Sequence, residues 1–143
     1  EQVIAKIRQY LDPEYEEHVA ASEIALACPK KRNLDEVIRQ LHPAEIPYYL
    51  SAGKYSKGDR RGLVLSSIHN LKGHEYKVVF LLHIDAGNYP MRPTGYQNWA
   101  PEKLETYDRQ QAALLYVASS RAINRLHVSG VNQPSSFLKG LEE

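Results

Sequence analysis

Arg121 is a charged side chain at the end of an otherwise apolar stripe of the sequence. It lies seven residues after Leu114, on the face of a predicted helix that also carries Val117 and Ala118. An arginine placed there can be delivered across a domain boundary to the negative charge that develops on a transferred phosphoryl group, which is worth roughly 10³ to 10⁵ in rate. The alternative is an arginine at a helix end that pairs with a nearby acid. The spacing by itself leaves both interpretations open.

Ser67, His69 and Lys72 follow a predicted strand near the point where it ends. A hydroxyl and an imidazole can both donate hydrogen bonds to phosphate oxygens without reading a base sequence. A lone histidine is as often structural, so both interpretations of His69 stay open. Lys72 with Gly73 most simply forms a cationic tight turn, because glycine permits backbone geometries that other residues resist. Nucleic-acid binding through these residues would be independent of base sequence.

Two features that a complete nucleotide triphosphatase requires are missing from the sequence. No glycine-rich loop ends in Gly-Lys-Ser/Thr, and no acidic pair closes an apolar strand, so the chain lacks a phosphate-binding loop and a carboxylate for magnesium. The histidines show no ligand spacing with Cys28 that would suggest zinc, and we expect no metal site. A metal nuclease built on His69, Glu75 and Asp85 would need a carboxylate cluster that the sequence does not offer.

The elements that would position these residues alternate between helix and strand. A helical pattern over Gln2 to Leu11 is followed by an apolar strand at Glu23 to Cys28 and by a helix that we expect Asn33 to cap. Further strands are predicted at Tyr48 to Leu50, Gly62 to Ser67, Val78 to Ile84 and Leu126 to Ser129. Further helices are predicted at Leu104 to Ala122, before the last of these strands, and from about Pro134. This alternation predicts an α/β fold with a mostly parallel sheet flanked by helices.

A general rule for open parallel sheets points to two places in this fold. Ligands of such sheets bind beyond the carboxyl ends of the strands, where loops and helix N-termini present free backbone groups. The rule selects the segment after Ser67 and the turn after Cys28, which are both polar.

Composition limits the classes of protein to which the chain can belong. A length of 143 residues with 43% hydrophobic residues fits one globular domain over residues 1–143. The single cysteine excludes an intramolecular disulfide, and no apolar stretch approaches the roughly 20 residues of a membrane helix. We therefore expect a cytoplasmic protein with no membrane partner.

The charge of the chain predicts little attraction to nucleic acid over the molecule as a whole. The formal net charge is only +1, so any attraction must be local. Two segments offer it, residues 30–32 and the basic loop 54–62, although solvated loop charge explains each of them equally well.

Two segments resemble motifs V and VI of the UvrD/Rep-type superfamily 1 helicases. Residues 64–80 read VLSSIHNLKGHEYKVVF, and residues 108–130 read DRQQAALLYVASSRAINRLHVSG. The first matches the family pattern at Ser67, Ile68, His69, Lys72, Gly73, Glu75 and Tyr76. The second matches it at Leu115, Tyr116, Val117, Ala118, Ser120, Arg121, Ala122 and Leu126, with Ser120 in place of threonine. Weaker similarities at Ile24 to Ile38, Ile46 to Tyr48 and Asp85 to Pro90 extend the resemblance over most of residues 23–130.

The resemblance implies a fold and an activity. The chain would be the second, C-terminal RecA-like domain of an ATP-dependent DNA helicase, a three-layer fold of the type found in P-loop nucleotide triphosphatases, with 3'-to-5' movement on DNA. ATP and Mg²⁺ would bind between this domain and an N-terminal RecA-like domain that carries the phosphate-binding loop and holds the metal. The chain by itself would be inactive, and its partners would be that domain and single-stranded DNA.

The resemblance also implies roles for individual residues. Arg121 would be the arginine finger, and Glu75, beside Gly73, would reach the nucleotide on its ribose side. The DNA backbone would be contacted by Ser67, His69 and Lys72. The aromatic side chains Tyr89, Tyr96, Trp99 and Tyr116 could stack on bases, but we expect Tyr116 to be packed and Trp99 to pin its loop.

The sequence also departs from the family pattern. Motif IV usually carries an arginine soon after its strand, whereas Ala27-Cys28-Pro29 occupies that stretch here; no residue takes over the role by position, and Arg32 is the candidate nucleotide contact. Residues 110–113 replace the acidic, arginine-rich approach to motif VI. The basic loop 54–62 stands where the family often carries an inserted domain. The alternative function is a non-catalytic RecA-like module that binds nucleic acid or protein, although such a module has no physical reason to keep Arg121 with Glu75.

Overall fold

The computed structural model describes residues 2–51, 56–71, 74–84 and 95–129. Its helices are α1 (Gln2–Leu11), α2 (Lys31–Leu41) and α3 (Pro101–Ser119), with short 3-10 helices at Ala21–Glu23, His69–Leu71 and Tyr96–Asn98. Its strands are β1 (Ile24–Cys28), β2 (Tyr48–Leu50), β3 (Lys57–Gly58), β4 (Leu63–Ser67), β5 (Tyr76–Leu81) and β6 (Ala122–Val128). The predictions for Lys72 and Gly73, for Asp85 to Pro90 and for the helix from about Pro134 lie outside the described residues.

The strands form one sheet in the order β3-β2-β4-β1-β5-β6. The strands from β2 to β6 in this order pair in parallel, while β3 runs antiparallel to β2 at the outer edge. All five residues of β1 are buried, as expected of a central parallel strand that is covered on both faces. β3 adds a strand to the basic segment 54–62, where the sequence predicted only a loop. Gly58 allows this pairing, because a Cβ there would collide with the carbonyl oxygen of Tyr48.

Helices cover both faces of the sheet. One face packs against α1 and α2, in a core that includes Ile7, Tyr10, Leu34, Val37, Leu41, Leu26 and Phe80. The other face packs against α3 and the 3-10 helix after β4, in a core that includes Ile68, Leu71, Leu115, Ala118, Val79 and Leu81. The sheet is therefore the middle of three layers, and the predicted fold class is confirmed.

Two helix boundaries differ from the sequence prediction. α2 begins at Lys31, so Asn33 caps it from inside the first turn, where its Oδ1 accepts the N–H of Lys30 at 3.2 Å. α3 ends at Ser119, and Arg121 lies in the turn before β6 rather than on the helix. The N–H of Arg121 donates to the carbonyl of Ala118 at 3.2 Å, a three-residue spacing that tightens and closes the helix.

Candidate functional site

The guanidinium of Arg121 lies against the carboxyl end of α3. Its Nε donates to the carbonyl oxygen of Val117 at 3.3 Å, and its Nη2 donates to Oγ of Ser120 at 3.3 Å. Helix C-terminal carbonyls carry partial negative charge, which favours a cation at this position. Among the described residues, no carboxylate lies within ion-pair distance of this guanidinium. The described part of the chain therefore leaves Arg121 without the acidic partner that a purely structural role would use.

Glu75 lies next to Arg121 at the start of two neighbouring strands. The N–H of Tyr76 donates to the carbonyl oxygen of Arg121 at 2.8 Å, and Tyr76 pairs with Ala122 in the parallel register of β5 and β6. Glu75 and Arg121 each precede one member of that pair, so their backbones are on the order of 5 Å apart. Glu75 is exposed, and its carboxylate has no hydrogen-bond or ion-pair partner among the residues described.

This pair lies at the amino ends of the strands, opposite to the edge that the general rule for parallel sheets selects. The three α-helices that the structure describes present their C-termini to that edge, so none of them supplies it with the free N–H groups of a helix N-terminus. Arg121 supplies this edge with a cationic side chain that can bind an anion. Glu75 complements it, because a carboxylate accepts hydrogen bonds from hydroxyl groups but donates none.

A second set of predicted residues lies at the carboxyl edge of the sheet. Ser67 ends β4, and the following N–H, of Ile68, donates to the carbonyl oxygen of Cys28 at 3.1 Å. This bond joins the segment after Ser67 to the turn after Cys28, the two places where the rule for open parallel sheets predicts ligand binding. Oγ of Ser67 accepts the N–H of Asn70 at 3.2 Å, which leaves its own proton available for a phosphate oxygen. His69 is exposed beside it.

Arg32 belongs to the carboxyl edge. It is the second residue of α2, is exposed, and follows the end of β1 by four positions. β1 is roughly 13 Å long at 3.3 Å per residue, and Glu75 and Arg121 lie beyond its other end. The structure therefore brings Arg32 to the side of Ser67 and does not bring it together with Glu75 and Arg121. Gly73 and Lys72 lie outside the described residues.

Two large apolar side chains that flank Arg121 in the sequence are exposed. Tyr116 is 71% exposed and Ile123 is 61% exposed, so the prediction that Tyr116 is packed is wrong. The sequence pattern missed this because α3 buries only Gln111, Leu115 and Ala118. Exposed large apolar side chains can mark a surface that another domain covers.

Trp99 packs against α3. Its ring meets that of Tyr107 edge to face at 5.4 Å, and Nζ of Lys103 lies 4.3 Å from the indole. These contacts hold the residue just before the start of α3 against the helix.

The contact between Ser120 and the guanidinium is not predicted by the motif residues. A hydroxyl residue directly before an arginine at a helix end was the available signal, since side-chain hydroxyls commonly bond to the last carbonyls of a helix.

Other classes of site find no support in the described ranges. No three His, Cys, Asp or Glu side chains group together there as metal ligands. His69 and Glu75 lie at opposite edges of the sheet, which separates two members of the conceivable nuclease cluster. None of the helices in these ranges has both the length and the apolar character needed to cross a bilayer.

Comparison with known proteins identifies the family. A model of the UvrD-like helicase C-terminal domain matches residues 1–133. No curated protein matches the chain. Among solved structures, it is similar to the crystal structure of the C-terminal domain of a possible DNA helicase from Lactobacillus plantarum WCFS1, with a TM-score of 0.66 and 19% identity, covering 96% of this chain and 70% of that one. At that identity the similarity shows the fold alone, which is RecA-like. Because the family model spans almost all of its length, the chain belongs to the UvrD-like helicase C-terminal domains.

Proposed function

We propose that the chain is the second motor domain of an ATP-dependent DNA helicase and completes a nucleotide site on an N-terminal RecA-like domain. Arg121 contacts the phosphates of ATP as an arginine finger, and Glu75 accepts a hydrogen bond from the ribose. The observation that carries the proposal is the 2.8 Å bond from the N–H of Tyr76 to the carbonyl of Arg121, which holds these two residues at one edge of the sheet.

The chemistry of the two side chains supports this assignment. The planar guanidinium has five N–H donors, of which two are used within the described residues, and it matches phosphate oxygens in pairs. The carboxylate of Glu75 is open to a sugar hydroxyl. Gly73 remains a predicted nucleotide contact for which we infer no geometry.

The surroundings of Arg121 support a neighbouring domain. The exposed Tyr116 and Ile123 give that domain an apolar surface to cover. We infer that the neighbour supplies the phosphate-binding loop and the carboxylate for Mg²⁺, because neither occurs in this sequence. When it is bound, Mg²⁺ neutralises phosphate charge, and this chain contributes no ligand to it.

The carboxyl edge supports contact with single-stranded DNA. Ser67 and His69 present a hydroxyl and an imidazole there, and the neighbouring Arg32 adds a cation. We assign Arg32 to DNA on this ground, and Lys72 by the family pattern. Alternate closure and opening of the two domains would then move the single-stranded DNA past this edge of the sheet. We propose 3'-to-5' movement, in the cytoplasm.

The test is the full-length protein with single substitutions. Arg121→Ala should lower DNA-stimulated ATP hydrolysis by about 10³-fold or more while ATP binding changes little. Glu75→Ala should weaken ATP binding by about 10-fold, because it removes a hydrogen bond to a charged group. Arg109→Ala is the matched control, since Arg109 is also an arginine of α3, exposed and paired with Glu105 at 2.6 Å. It should behave as the wild type.

Two results would contradict the proposal. One is a normal rate of DNA-stimulated hydrolysis in Arg121→Ala. The other is a full-length protein that binds DNA without hydrolysing ATP, which would favour a non-catalytic RecA-like module.

A further inference from the structure

We infer that Ser120 is a positioning residue, whose hydroxyl holds the guanidinium of Arg121 at the end of α3 so that it is ready to meet the nucleotide. The inference rests on the proposed function, because it assumes that Arg121 acts on phosphate. It assigns a role to a side chain that touches neither nucleotide nor DNA in the proposal.

The hydroxyl of Ser120 is oriented by its own hydrogen bond. Oγ donates its proton to the carbonyl oxygen of Val117 at 2.6 Å. A hydroxyl has one proton and two lone pairs, so the proton is committed and the lone pairs are left for a donor. Nη2 of Arg121 is that donor, at 3.3 Å. Serine therefore acts here as an oriented acceptor, which alanine cannot replace.

The guanidinium is held at two of its nitrogens. Nε donates to the carbonyl of Val117 while Nη2 donates to Ser120, both at 3.3 Å. These two contacts define the direction of the planar group, although both are long for hydrogen bonds. Three N–H donors, on Nη1 and Nη2, remain for an anion within the described surroundings. Holding one edge of the group in this way lowers the entropy that it loses on engaging phosphate.

A simpler role for Ser120 would be to close the helix. Ser119 provides the comparison, because its Oγ donates to the carbonyl of Leu115 at 2.8 Å in the same last turn and has no bond to Arg121. Loss of either hydroxyl removes one bond to a helix carbonyl. Only the loss of Ser120 also removes a bond to the guanidinium.

The experiment measures DNA-stimulated ATP hydrolysis by the full-length protein. Ser120→Ala should lower kcat by about 3- to 10-fold with little change in KM for ATP, the loss expected for one long hydrogen bond to a charged group. Ser120→Thr keeps the hydroxyl and should restore most of kcat. Ser119→Ala should retain the wild-type kcat, and thermal unfolding of all three variants checks that the fold is unchanged.

A double-substitution cycle separates positioning from folding. In an Arg121→Lys background, which keeps a charge without the two-nitrogen contact, Ser120→Ala should cause no further loss. An equal loss in both backgrounds, or a normal kcat for Ser120→Ala where Arg121→Ala is impaired, would overturn the inference and leave the proposed function standing. A normal rate in Arg121→Ala would instead remove the proposed function itself.

Discussion

The N–H of Tyr76 donates to the carbonyl oxygen of Arg121 over 2.8 Å, and this bond holds Glu75 and Arg121 side by side. It joins main-chain atoms, so side-chain substitutions at Glu75 and Arg121 leave the spacing of the two backbones intact. Changes in activity that follow such substitutions therefore report on chemistry rather than on the pairing of β5 with β6.

The exposed apolar residues beside Arg121 should matter for activity but little for folding. Tyr116→Ser and Ile123→Ser should each change the free energy of unfolding of this chain by less than about 1 kcal/mol, because both side chains face solvent. In the full-length protein, the same substitutions should weaken DNA-stimulated ATP hydrolysis, since the neighbouring domain loses apolar contact. Denaturant unfolding and steady-state hydrolysis are the measurements. The control Leu115→Ala, at a buried side chain, should lower the free energy of unfolding by about 2 to 5 kcal/mol. A similar loss for Tyr116→Ser would contradict the exposed position of the Tyr116 side chain.

His69 should contribute to DNA affinity without reading sequence. His69→Ala should weaken binding of single-stranded oligonucleotides by about 2- to 10-fold, equally for unrelated base sequences, because an imidazole donates to phosphate. Fluorescence anisotropy at low salt measures the affinity. His74→Ala is the control, since His74 is also exposed but lies near the amino edge of the sheet. Equal losses for the two variants would argue against a DNA track at the carboxyl edge.

The stability of the chain should fall as pH drops below neutral, because of His127. Its imidazole lies 2.7 Å from the hydroxyl of Tyr10 and stacks on Phe80. Burial lowers the pKa of this imidazole, and so do the positive charges of Lys6 and Arg125, whereas the negative charge of Glu17 raises it. A histidine with a lowered folded pKa contributes stability above its unfolded pKa of 6.5, and that contribution is lost as pH falls through the folded value.

Thermal unfolding measured between pH 7.5 and pH 5 tests this expectation. The unfolding temperature should decrease over this range, and the decrease should be smaller in His127→Gln, which keeps a hydrogen-bonding group that does not titrate. The carboxyls with lowered pKa, Glu17, Glu23 and Asp59, lose their contributions below pH 4.5 and so lie outside the range. An unchanged slope in His127→Gln would assign the pH dependence to other groups.

Gly62 and Gly95 should differ in their tolerance of alanine. A Cβ at Gly62 would lie 2.5 Å from the carbonyl carbon of Pro47, so Gly62→Ala should cost about 2 to 3 kcal/mol through displacement of backbone. Gly95 has φ +83 with open space around it, so Gly95→Ala should cost about 1 kcal/mol through backbone strain alone. Denaturant unfolding compares the two variants. A larger loss at Gly95 would reverse the expected order.

Local sequence determined most of the elements. Helical spacing of apolar residues located α1 and α2, and continuous apolar runs located β1 and β5, because a helix face and a doubly covered strand each leave a distinct pattern. The motif residues predicted that Glu75 and Arg121 belong to one site, and the structure holds their backbones side by side.

Tertiary structure alone decided which edge of the sheet each residue occupies. Arg32 and Arg121 were both predicted to reach the nucleotide, yet β1 separates them, because edge position depends on strand direction and order rather than on residue type. The same holds for the exposure of Tyr116 and for the contact between Ser120 and the guanidinium, since both depend on where α3 ends and on what packs against it. Pairing across strands and the closure of a helix are set by contacts distant in sequence, which no local pattern records.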